Sequence, residues 1–500
     1  MKKLLSIFLF VFILSCSAQK EEVKFRILHM NDTHSKNKEF VKVSQDKTYT
    51  NRYGGASRRK TFIENYKNTN DNVIVMHAGD TIAGSVFSIV YSGLDEVQIM
   101  NDIGVDISTL GNHEFDFGFS QLDKIMRSRN FPTIACNVNF IGTTNRYLEP
   151  YITTNINGVN IAVVGVVQSE KRNIIDSLDI LDIEDEVVSL KNLLDEVPLK
   201  NTNDILILLS HAGFDIDKKI AIELPNVFDI IVGGHTHTLL KEPTFINDTM
   251  IVQAGEYGEY IGTIDVKFKN NKYSSSDYKL VRLDESIKED EGMLAMISNM
   301  QIEVDNRFNI AIATLGENLL DDDVRSKSVA LGNFVADAVE SSQESIDIAL
   351  VNSGSLRASL YSGNVTLGNI YEFFPFDNLI VLTTIDGKLL KQVLELSASK
   401  RGEGGFMQVS KNALINFDSN GKIIDSYIKG EKIEDDKKYT VAVADYIFGG
   451  GEKYVDENEK PLFQYGENVI HTGVDMRDLI IKSLKENTIK IDNKERIIFN

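Results

Sequence analysis

The ten residues ISTLGNHEFD, positions 107–116, join a strand pattern to a dense group of polar side chains. Residues 107–110 are typical of a short strand, and Asn112, His113 and Asp116 follow it within six positions. In α/β sheets, ligands bind in the crevice at the carboxyl ends of the strands, so these three side chains can face one crevice. Taken alone, the Asn-His pair would more simply be a turn that caps the helix after it.

Four further apolar runs of strand length end in residues that can bind metal ions. Such runs are typical of buried strands, and the carboxyl ends of neighbouring strands bring their side chains close together. The residues are Asp32 and His34 after residues 25–30, Asp80 after 73–77, His211 after 205–209, and His235 and His237 after 228–232. Five strand ends are therefore expected to supply ligands to one edge.

The histidines of the chain are concentrated at these strand ends. Five of the eight histidines occupy them: His34, His113, His211, His235 and His237. Any one of them alone would be a structural histidine, but the set favours a metal centre. The sequence shows no recognisable ligand partners for His29, His77 and His471, and we interpret these three histidines as structural.

Length and charge exclude several classes of protein. A chain of 500 residues is too long for one core, so two domains are expected, and 42% hydrophobic with 25% charged residues is ordinary for a globular protein. The net charge of −20 argues against nucleic-acid polymers and anionic membrane surfaces as partners, and no obligate protein partner is evident. An anionic small substrate would have to be attracted locally, by metal ions or a few arginines.

The N-terminus is typical of an export signal. A charged n-region precedes the short apolar run of residues 4–14, and the sequence Ile-Leu-Ser-Cys at 13–16 resembles a bacterial lipobox. We expect a lipoprotein signal peptide over residues 1–15 and a lipid anchor on Cys16, with the protein exported and held at a bacterial membrane, periplasmic or at the cell surface. Cleavage after Ala18 of an ordinary secretory signal is the alternative.

Cys136 would then be the only cysteine of the folded part of the chain. A single thiol forms no internal disulfide, so the fold is expected to rely on core packing. No later apolar run approaches the ~18 residues that a membrane-spanning helix needs.

The order of the strand-end motifs resembles the calcineurin-like metallophosphoesterases, and specifically the 5′-nucleotidase and UDP-sugar hydrolase family. The motifs are Asn-Asp-Thr-His at 31–34, Gly-Asp at 79–80, Gly-Asn-His-Glu-Phe-Asp at 111–116, Ser-His at 210–211 and Gly-His-Thr-His at 234–237. The resemblance runs from about residue 25 to the C-terminus. It implies that one metal ion is held by Asp32, His34, Asp80 and His237, and the other by Asp80, Asn112, His211 and His235. His237 stands where some relatives carry glutamine.

Two divalent ions bridged by Asp80 would suit the hydrolysis of a phosphate ester. Ions about 3.5–4 Å apart can acidify a water molecule and bind the phosphoryl oxygens of an in-line displacement. Carboxylate, amide and imidazole ligands without a thiolate fit Zn, Mn, Co or Fe better than Ca. The resemblance implies that His113 acts on the phosphate as an electrostatic stabiliser of the transition state. Asp116 would orient His113 and keep it protonated, since a neighbouring carboxylate raises the pKa of an imidazole.

A different set of residues follows a predicted linker helix at 285–308. This segment combines a charged start with an apolar stripe that we interpret as core packing. The residues of the stripe are Met293, Ile297, Met300, Ile302 and Val304. Beyond the helix, the family resemblance implies that Arg325, Asn352 and Arg357 contact the phosphates and sugar of the substrate. Arginine suits this role because its planar fork bonds two phosphate oxygens at once.

Two aromatic residues are expected to hold a nucleobase. By the resemblance, Phe376 and Tyr446 occupy positions whose rings sandwich the base, and stacking tolerates different bases. The alternative for Phe376 is that it is ordinary core, as we expect of Phe373 and Phe374. Glu452 stands where many relatives carry an aspartate that holds the ribose hydroxyls. Glutamate can accept the same hydrogen bonds, but it reaches one methylene further.

The sequence therefore predicts an α/β protein of two domains. Residues 24–284 are expected to form a four-layer α/β/β/α sandwich with the dimetal site, and residues 309–500 a smaller α/β domain that binds nucleotide across an interdomain cleft. The expected reaction, in nucleotide catabolism, is hydrolysis of nucleoside 5′-monophosphates, with UDP-sugars or other nucleotides as further substrates. One alternative is a 2′,3′-cyclic-nucleotide 2′-phosphodiesterase with 3′-nucleotidase activity. A second is a non-catalytic surface lipoprotein that binds nucleotide.

Overall fold

Two six-stranded sheets form the centre of the N-terminal half of the protein, in a computed structural model that describes residues 22–43, 50–169, 180–269, 272–486 and 491–500. The predicted signal peptide and Cys16 lie outside the described residues, so both stay predictions. Among the helices of the described ranges, none combines the length and the apolar character that crossing a bilayer requires.

Parallel strands in both sheets end at the predicted ligand residues. In spatial order, the first sheet contains Lys272–Arg282, Tyr260–Lys269, Val23–Met30, Val73–His77, Ile107–Thr109 and Thr133–Ile134. The second contains Thr244–Ile246, Thr249–Val252, Ile230–Val232, Ile205–His211, Val159–Val167 and Tyr151–Ile156. The three ligand strands of the first sheet run parallel to one another, as do the two of the second. Since parallel strands share the direction of their carboxyl ends, their loops emerge together.

The N-terminal half has four layers. Side chains such as Phe25 and Ile27 of the first sheet pack against Ile207 and Leu209 of the second, which forms a core between the sheets. Helices cover the two outer faces and form two further cores there. The helices of this half are Ala56–Thr69, Val86–Tyr91, Leu94–Ile103, Gly118–Ser128, Glu186–Glu196, Leu199–Thr202 and Phe214–Glu223. The predicted α/β/β/α sandwich is confirmed.

A helix at Glu291–Phe308 links the two halves. It begins later than the predicted residue 285, because the side chain of Asp290 caps it by accepting a hydrogen bond from the backbone N–H of Met293 (2.7 Å). Four of the five predicted stripe residues are buried against the N-terminal half: Met293, Ile297, Met300 and Val304. Ile302 was wrongly included, since it is 61% exposed. Its place in the helix lies off the face that the spacing of the other four defines. The predicted domain boundaries beside this helix stay predictions.

The C-terminal half has its own core and is also α/β, as predicted. Its five-stranded sheet contains Met407–Val409, Ile348–Asn352, Lys438–Ala444, Leu379–Asp386 and Glu467–Asp475, and its four-stranded sheet Glu431–Lys432, Ile423–Ile428, Ala413–Phe417 and Ile497–Phe499. The helices are Ala330–Glu340, Leu367–Phe373, Gly387–Ser399, Asp445–Phe448 and Met476–Glu486. Three two-stranded sheets complete the described chain: Phe40–Val43 with Thr50–Tyr53, Val138–Phe140 with Leu181–Ile183, and Ala311–Leu315 with Gly363–Thr366.

The two central sheets approach closely at Gly165. This residue lies within Val159–Val167, and its carbonyl accepts a hydrogen bond from the backbone N–H of Cys136 (2.8 Å). A Cβ atom on Gly165 would lie 2.2 Å from the carbonyl oxygen of Ile134. Since backbone cannot move aside as a flexible side chain can, only glycine fits here.

Gly165→Ala should therefore lower the free energy of unfolding by about 1–3 kcal/mol, the usual cost of overpacking a core. Chemical denaturation followed by circular dichroism would measure the change. Gly316→Ala is the matched control, because an added Cβ there meets no heavy atom within 4 Å. Equal stability of Gly165→Ala and the wild type would contradict the close approach of the sheets.

Candidate metal centre

The loops after five strands bring the predicted ligand atoms together. Nε2 of His237 lies 3.3 Å from Oδ1 of Asp32 and 3.2 Å from Nε2 of His34. Nε2 of His211 lies 3.2 Å from Oδ2 of Asp80, and Nε2 of His34 lies 3.8 Å from the same oxygen. Asp80 is therefore central to the cluster, between residues of the first and the second sheet.

Three groups within the cluster have the spacing of a metal site, since the ligand atoms of each lie within 4.8 Å of one another. They are Asp32, His34 and His237; His34, Asp80 and His113; and Asp80, His211 and His235. Asn112 joins them through its Oδ1, which lies 2.9 Å from Nδ1 of His235. All seven predicted ligands thus lie in one cluster, while their predicted division between two ions stays a prediction.

Two histidines are oriented as metal ligands usually are. Nδ1 of His211 donates a hydrogen bond to the carbonyl of Ala78 (2.6 Å), and its buried Nε2 has no hydrogen-bond partner in the described part of the chain. Nδ1 of His34 lies 3.2 Å from the carbonyl of Ile82. A proton on Nδ1 leaves the lone pair of Nε2 free to bind an ion, and such backbone partners are typical of metal-binding histidines. The residues therefore fit the divalent ions that the sequence predicts.

The backbone of the ligand loops is unusual. Five ligand-type residues have a left-handed φ angle: Asp32 (50°), His34 (49°), Asp80 (56°), His235 (75°) and His237 (56°). Asp and His tolerate this region better than most residues, although it remains strained for any residue with a Cβ. Strained backbone concentrates at functional sites, where the surrounding structure holds it in place.

Burial and neighbouring charges shift the pKa values of the ligand residues. Burial raises the pKa of Asp80, but His211 and His113 outweigh it and hold that pKa well below its usual range. Burial lowers the pKa of His211, while Asp80 and Asp32 raise it to about 10. His235 differs, because burial lowers its pKa to about 3 and leaves the ring neutral. A divalent ion at Nε2 of His211 would take the place of a proton there.

Glu114 holds two of the ligand loops together, although it was not among the predicted site residues. Its buried carboxylate accepts hydrogen bonds from the backbone N–H groups of Gly111 (2.6 Å), Asp80 (3.0 Å) and Thr81 (2.8 Å). Arg129 approaches the same carboxylate at 3.5 Å. Glu114 lies within residues 107–116, but its partners are backbone groups, which a sequence does not reveal.

His113 and Asp116 form the predicted pair. Nδ1 of His113 lies 2.7 Å from Oδ2 of Asp116, and its backbone N–H donates to Oδ1 of Asp80 (2.9 Å). Burial lowers the pKa of His113, but the carboxylates of Asp116 and Asp80 outweigh burial and raise that pKa to about 9. These two carboxylates therefore favour the protonated form of the imidazole.

Two arginines of the C-terminal half reach the cluster. Nη2 of Arg357 lies 3.0 Å from Nε2 of His34, and Nη2 of Arg325 lies 3.5 Å from Nδ1 of His237. Arg357 is buried. These contacts join the two halves of the protein at the candidate site, and they bring two permanent positive charges to it.

Phe376 also comes from the C-terminal half and covers His113. Their rings stack with centroids 5.8 Å apart at an angle of 28°, and the guanidinium of Arg357 lies 5.8 Å from the Phe376 ring. Phe373 and Phe374 are fully buried, as predicted, whereas Phe376 is half-buried in the cleft. Phe376 is therefore not an ordinary core residue.

The remaining predicted residues form a second group in the C-terminal half. Oδ1 of Asn352 accepts a hydrogen bond from Ser355 (3.0 Å), so this amide fixes its own loop. The hydroxyl of Tyr446 accepts one from the backbone N–H of Glu452 (3.1 Å). The Glu452 carboxylate lies over the backbone of Gly354, where an added Cβ would be 3.1 Å from its Oε1.

A turn at residues 254–258 adds two side chains that the sequence did not predict. The carboxylate of Glu256 contacts Nδ1 of His237, and the ring of Tyr257 lies edge-on to His237 at 6.0 Å. The flanking residues Gly255 and Gly258 are the only signal of this turn in the sequence, and glycines mark many turns that have no function.

Comparisons with known proteins agree with this geometry. Residues 25–239 match the family model for calcineurin-like phosphoesterases, and residues 309–457 match that for the 5′-nucleotidase C-terminal domain. The chain is 28% identical over 488 residues to a 5′-nucleotidase of Rattus norvegicus, with 86% of this chain and 83% of that protein covered. It is 25% identical over 482 residues to the trifunctional nucleotide phosphoesterase protein YfkN of Bacillus subtilis, covering 86% of this chain but 32% of the other. The solved structure of a 5′-nucleotidase precursor from Thermus thermophilus shares the fold, with a TM-score of 0.81, 24% identity and coverage of 95% of this chain and 99% of that chain.

Asp116→Asn should lower the pKa of His113 from about 9 toward the ordinary imidazole value of ~6.5, because the carboxylate that stabilises the protonated ring is lost. Nitrogen-15 NMR titration of the full chain after metal removal would measure this pKa, with His113→Gln identifying the resonance. Asp123→Asn is the control, since Asp123 pairs with Arg127 on the next helix. An unchanged pKa in Asp116→Asn would contradict the pairing.

Proposed function

The chain belongs to the 5′-nucleotidase family of calcineurin-like phosphoesterases and is a phosphoric monoester hydrolase, and we propose that it hydrolyses nucleoside 5′-monophosphates to nucleoside and phosphate in a metal-dependent reaction. One observation carries this proposal. Arg325 and Arg357, from the half that matches the nucleotidase C-terminal domain, lie against the histidines of the candidate metal centre in the other half. A phosphate group bound there would meet ligand loops and arginines at once.

Seven residues would hold two divalent ions: Asp32, His34, Asp80, Asn112, His211, His235 and His237. When bound, the ions supply Lewis-acid charge that acidifies a water molecule and neutralises the phosphoryl oxygens. The chain contributes loops that already hold the ligand atoms close together. The ions would also provide local positive charge in a protein whose net charge is −20.

His113 and the two arginines would bind the phosphate oxygens. The protonated His113 imidazole can donate from Nε2 while Nδ1 stays paired with Asp116. Arg325 and Arg357 can each offer two parallel N–H groups to one phosphate. Preorganised donors of this kind typically contribute about 10²–10³ in turnover. Asp116 acts through His113, so its role is to position and charge that ring.

The nucleoside would be held by the C-terminal half. Phe376 and Tyr446 offer aromatic faces for the base, and the contact of Phe376 with His113 supports a base site next to the phosphate site. Glu452 would accept the sugar hydroxyls, but its carboxylate also lies against the backbone of Gly354. Asn352 would contact the substrate through its amide N–H groups, since its amide oxygen accepts a hydrogen bond from Ser355.

A broader nucleotide phosphoesterase is the second candidate. The relative from Bacillus subtilis carries the name of a trifunctional nucleotide phosphoesterase. By the resemblance, Glu452 stands where many relatives carry an aspartate at the sugar site, so recognition of the sugar is where this chain would differ. This candidate would hydrolyse 3′-monophosphates, 2′,3′-cyclic nucleotides or UDP-sugars at rates comparable with 5′-monophosphates.

Rates of hydrolysis of 5′-AMP, 3′-AMP, 2′,3′-cyclic AMP and UDP-glucose, with the products separated by chromatography, distinguish the two candidates. We expect 5′-AMP to give the highest kcat/KM, and dialysis against a chelator to abolish hydrolysis until Mn²⁺ or Zn²⁺ is restored, because the ligand cluster needs its ions. Comparable kcat/KM values across the four substrates would favour the broader enzyme. Full activity after verified metal removal would contradict metal dependence.

Tyr446→Ala should reduce kcat/KM for 5′-AMP by roughly 5- to 150-fold, since a stacked base contributes ~1–3 kcal/mol. A small aryl phosphate has no base to stack in this position, so its hydrolysis should change little. Tyr465→Ala is the control, because Tyr465 is an exposed tyrosine of the same half that bonds Asp456. Equal losses on both substrates would indicate damage to the fold and would refute the base site at Tyr446.

A further inference from the structure

The turn at residues 254–258 is attached to a loop of the candidate metal centre. The side chain of Asn31 donates a hydrogen bond to the carbonyl of Gly255 (2.6 Å), and the backbone N–H of Tyr257 donates to the carbonyl of Asp32 (2.7 Å). The first of these bonds is buried, and both lie within the N-terminal half. The position of the turn is therefore fixed relative to Asp32, which is one of the predicted ligands.

The turn has an unusual backbone conformation, which is strained at Tyr257. Gly255, Tyr257 and Gly258 all have left-handed φ angles, of 74°, 58° and 65°. For a bulky aromatic residue this conformation is an outlier, and such residues persist where function or packing demands them. Here it sets the Tyr257 ring edge-on against His34 (5.9 Å) and His237 (6.0 Å).

The two ring nitrogens of His237 have different surroundings. Nε2 faces the cluster, 3.3 Å from Oδ1 of Asp32 and 3.2 Å from Nε2 of His34. Nδ1 faces away from it and contacts the carboxylate of Glu256, with Nη2 of Arg325 at 3.5 Å. Only Nε2 of His237 can therefore bind an ion in this cluster. Its lone pair is free when the proton of the neutral ring is on Nδ1.

Glu256 and Arg325 favour opposite tautomers of the ring. A carboxylate only accepts hydrogen bonds, so Glu256 favours a proton on Nδ1 of His237, which leaves the Nε2 lone pair free. A guanidinium only donates, so Arg325 favours a bare Nδ1 and a proton on Nε2, and that form binds no ion. The direct contact of Glu256 outweighs the longer approach of Arg325.

The contact of Glu256 with Nδ1 has a second consequence for the His237 ring. A carboxylate behind the distal nitrogen also raises the basicity of a histidine ligand and fixes the rotation of its ring.

We propose that Glu256 is a positioning residue for metal binding, which holds His237 through Nδ1 so that Nε2 is presented to the ion as a bare, correctly aimed ligand. The proposal rests on the metal dependence proposed above. The turn at 254–258 would then prepare one ligand of one ion, while Nδ1 of His211 is held by the backbone carbonyl of Ala78.

Mn²⁺ binding to the full chain without nucleotide tests this assignment, with free Mn²⁺ measured by electron paramagnetic resonance. We expect the wild type to bind two ions. Glu256→Ala should weaken one of them by about 10- to 100-fold and leave the other unchanged, which is the usual effect of removing the partner of a ligand histidine. Glu256→Gln should weaken it less, because its amide oxygen still accepts from Nδ1. Glu242→Gln, an exposed glutamate of the same half, is the control.

A second comparison separates positioning from a general effect of charge. In a His237→Ala background, Glu256→Ala should cause no further loss of Mn²⁺ affinity, because the ring through which Glu256 acts is gone. An equal further loss, or Glu256→Ala binding both ions as tightly as the wild type, would overturn the proposal. A wild type that binds no Mn²⁺ would instead refute the proposed metal dependence. The measurement contains no nucleotide, so its result does not depend on which nucleotide the enzyme prefers.

Discussion

The buried carboxylate of Glu114 is the interaction on which the candidate metal centre depends. A carboxylate without solvent is stable only when its oxygens are paired, and here three backbone N–H groups supply that pairing. Two of them, of Asp80 and Thr81, belong to the loop after one strand, and the third, of Gly111, belongs to the loop after the next. Arg129 balances the charge from the opposite side. The separation of two neighbouring ligand loops is therefore set by one side chain.

The two groups of candidate site residues are anchored in different hydrophobic cores. The ligand loops are anchored in the cores of the N-terminal half, whereas Arg325, Arg357 and Phe376 belong to a half whose core is separate. The linker helix packs on the N-terminal half, in a core that it shares with strands of the first sheet. Any rotation at its C-terminal end would separate Arg357 from His34 and uncover His113. The distances from Arg325, Arg357 and Phe376 to the histidines of the cluster therefore depend on the relative position of the two halves as well as on local packing.

The sequence predicted the ligand cluster because its signals are local. Each ligand directly follows an apolar run, and the parallel arrangement of buried strands then brings the strand ends together. The same reasoning could not find Glu114 or Glu256, since their partners are backbone groups or a ring from another strand end. It also placed Ile302 on the wrong face of the linker helix, because apolar residues near a stripe were counted with it. Asn352 stays a predicted substrate contact, and the hydrogen bond that its amide oxygen accepts from Ser355 could not be foreseen from the sequence, because it depends on the local fold of the loop.

The ligand loops are strained, and buried hydrogen bonds hold them in their strained conformation. A left-handed residue with a Cβ costs roughly 1–2 kcal/mol, and five ligand-type residues adopt that conformation. Hydrogen bonds that would otherwise be ordinary, such as those to Glu114, Asn31 and the carbonyl of Asp32, offset this cost because they exist only when the loops are bent. The loops are thus shaped by the protein itself, so the binding energy of an ion is not consumed in bending them. In the proposed reaction, phosphate donors held on such preformed loops would stabilise the transition state without further reorganisation.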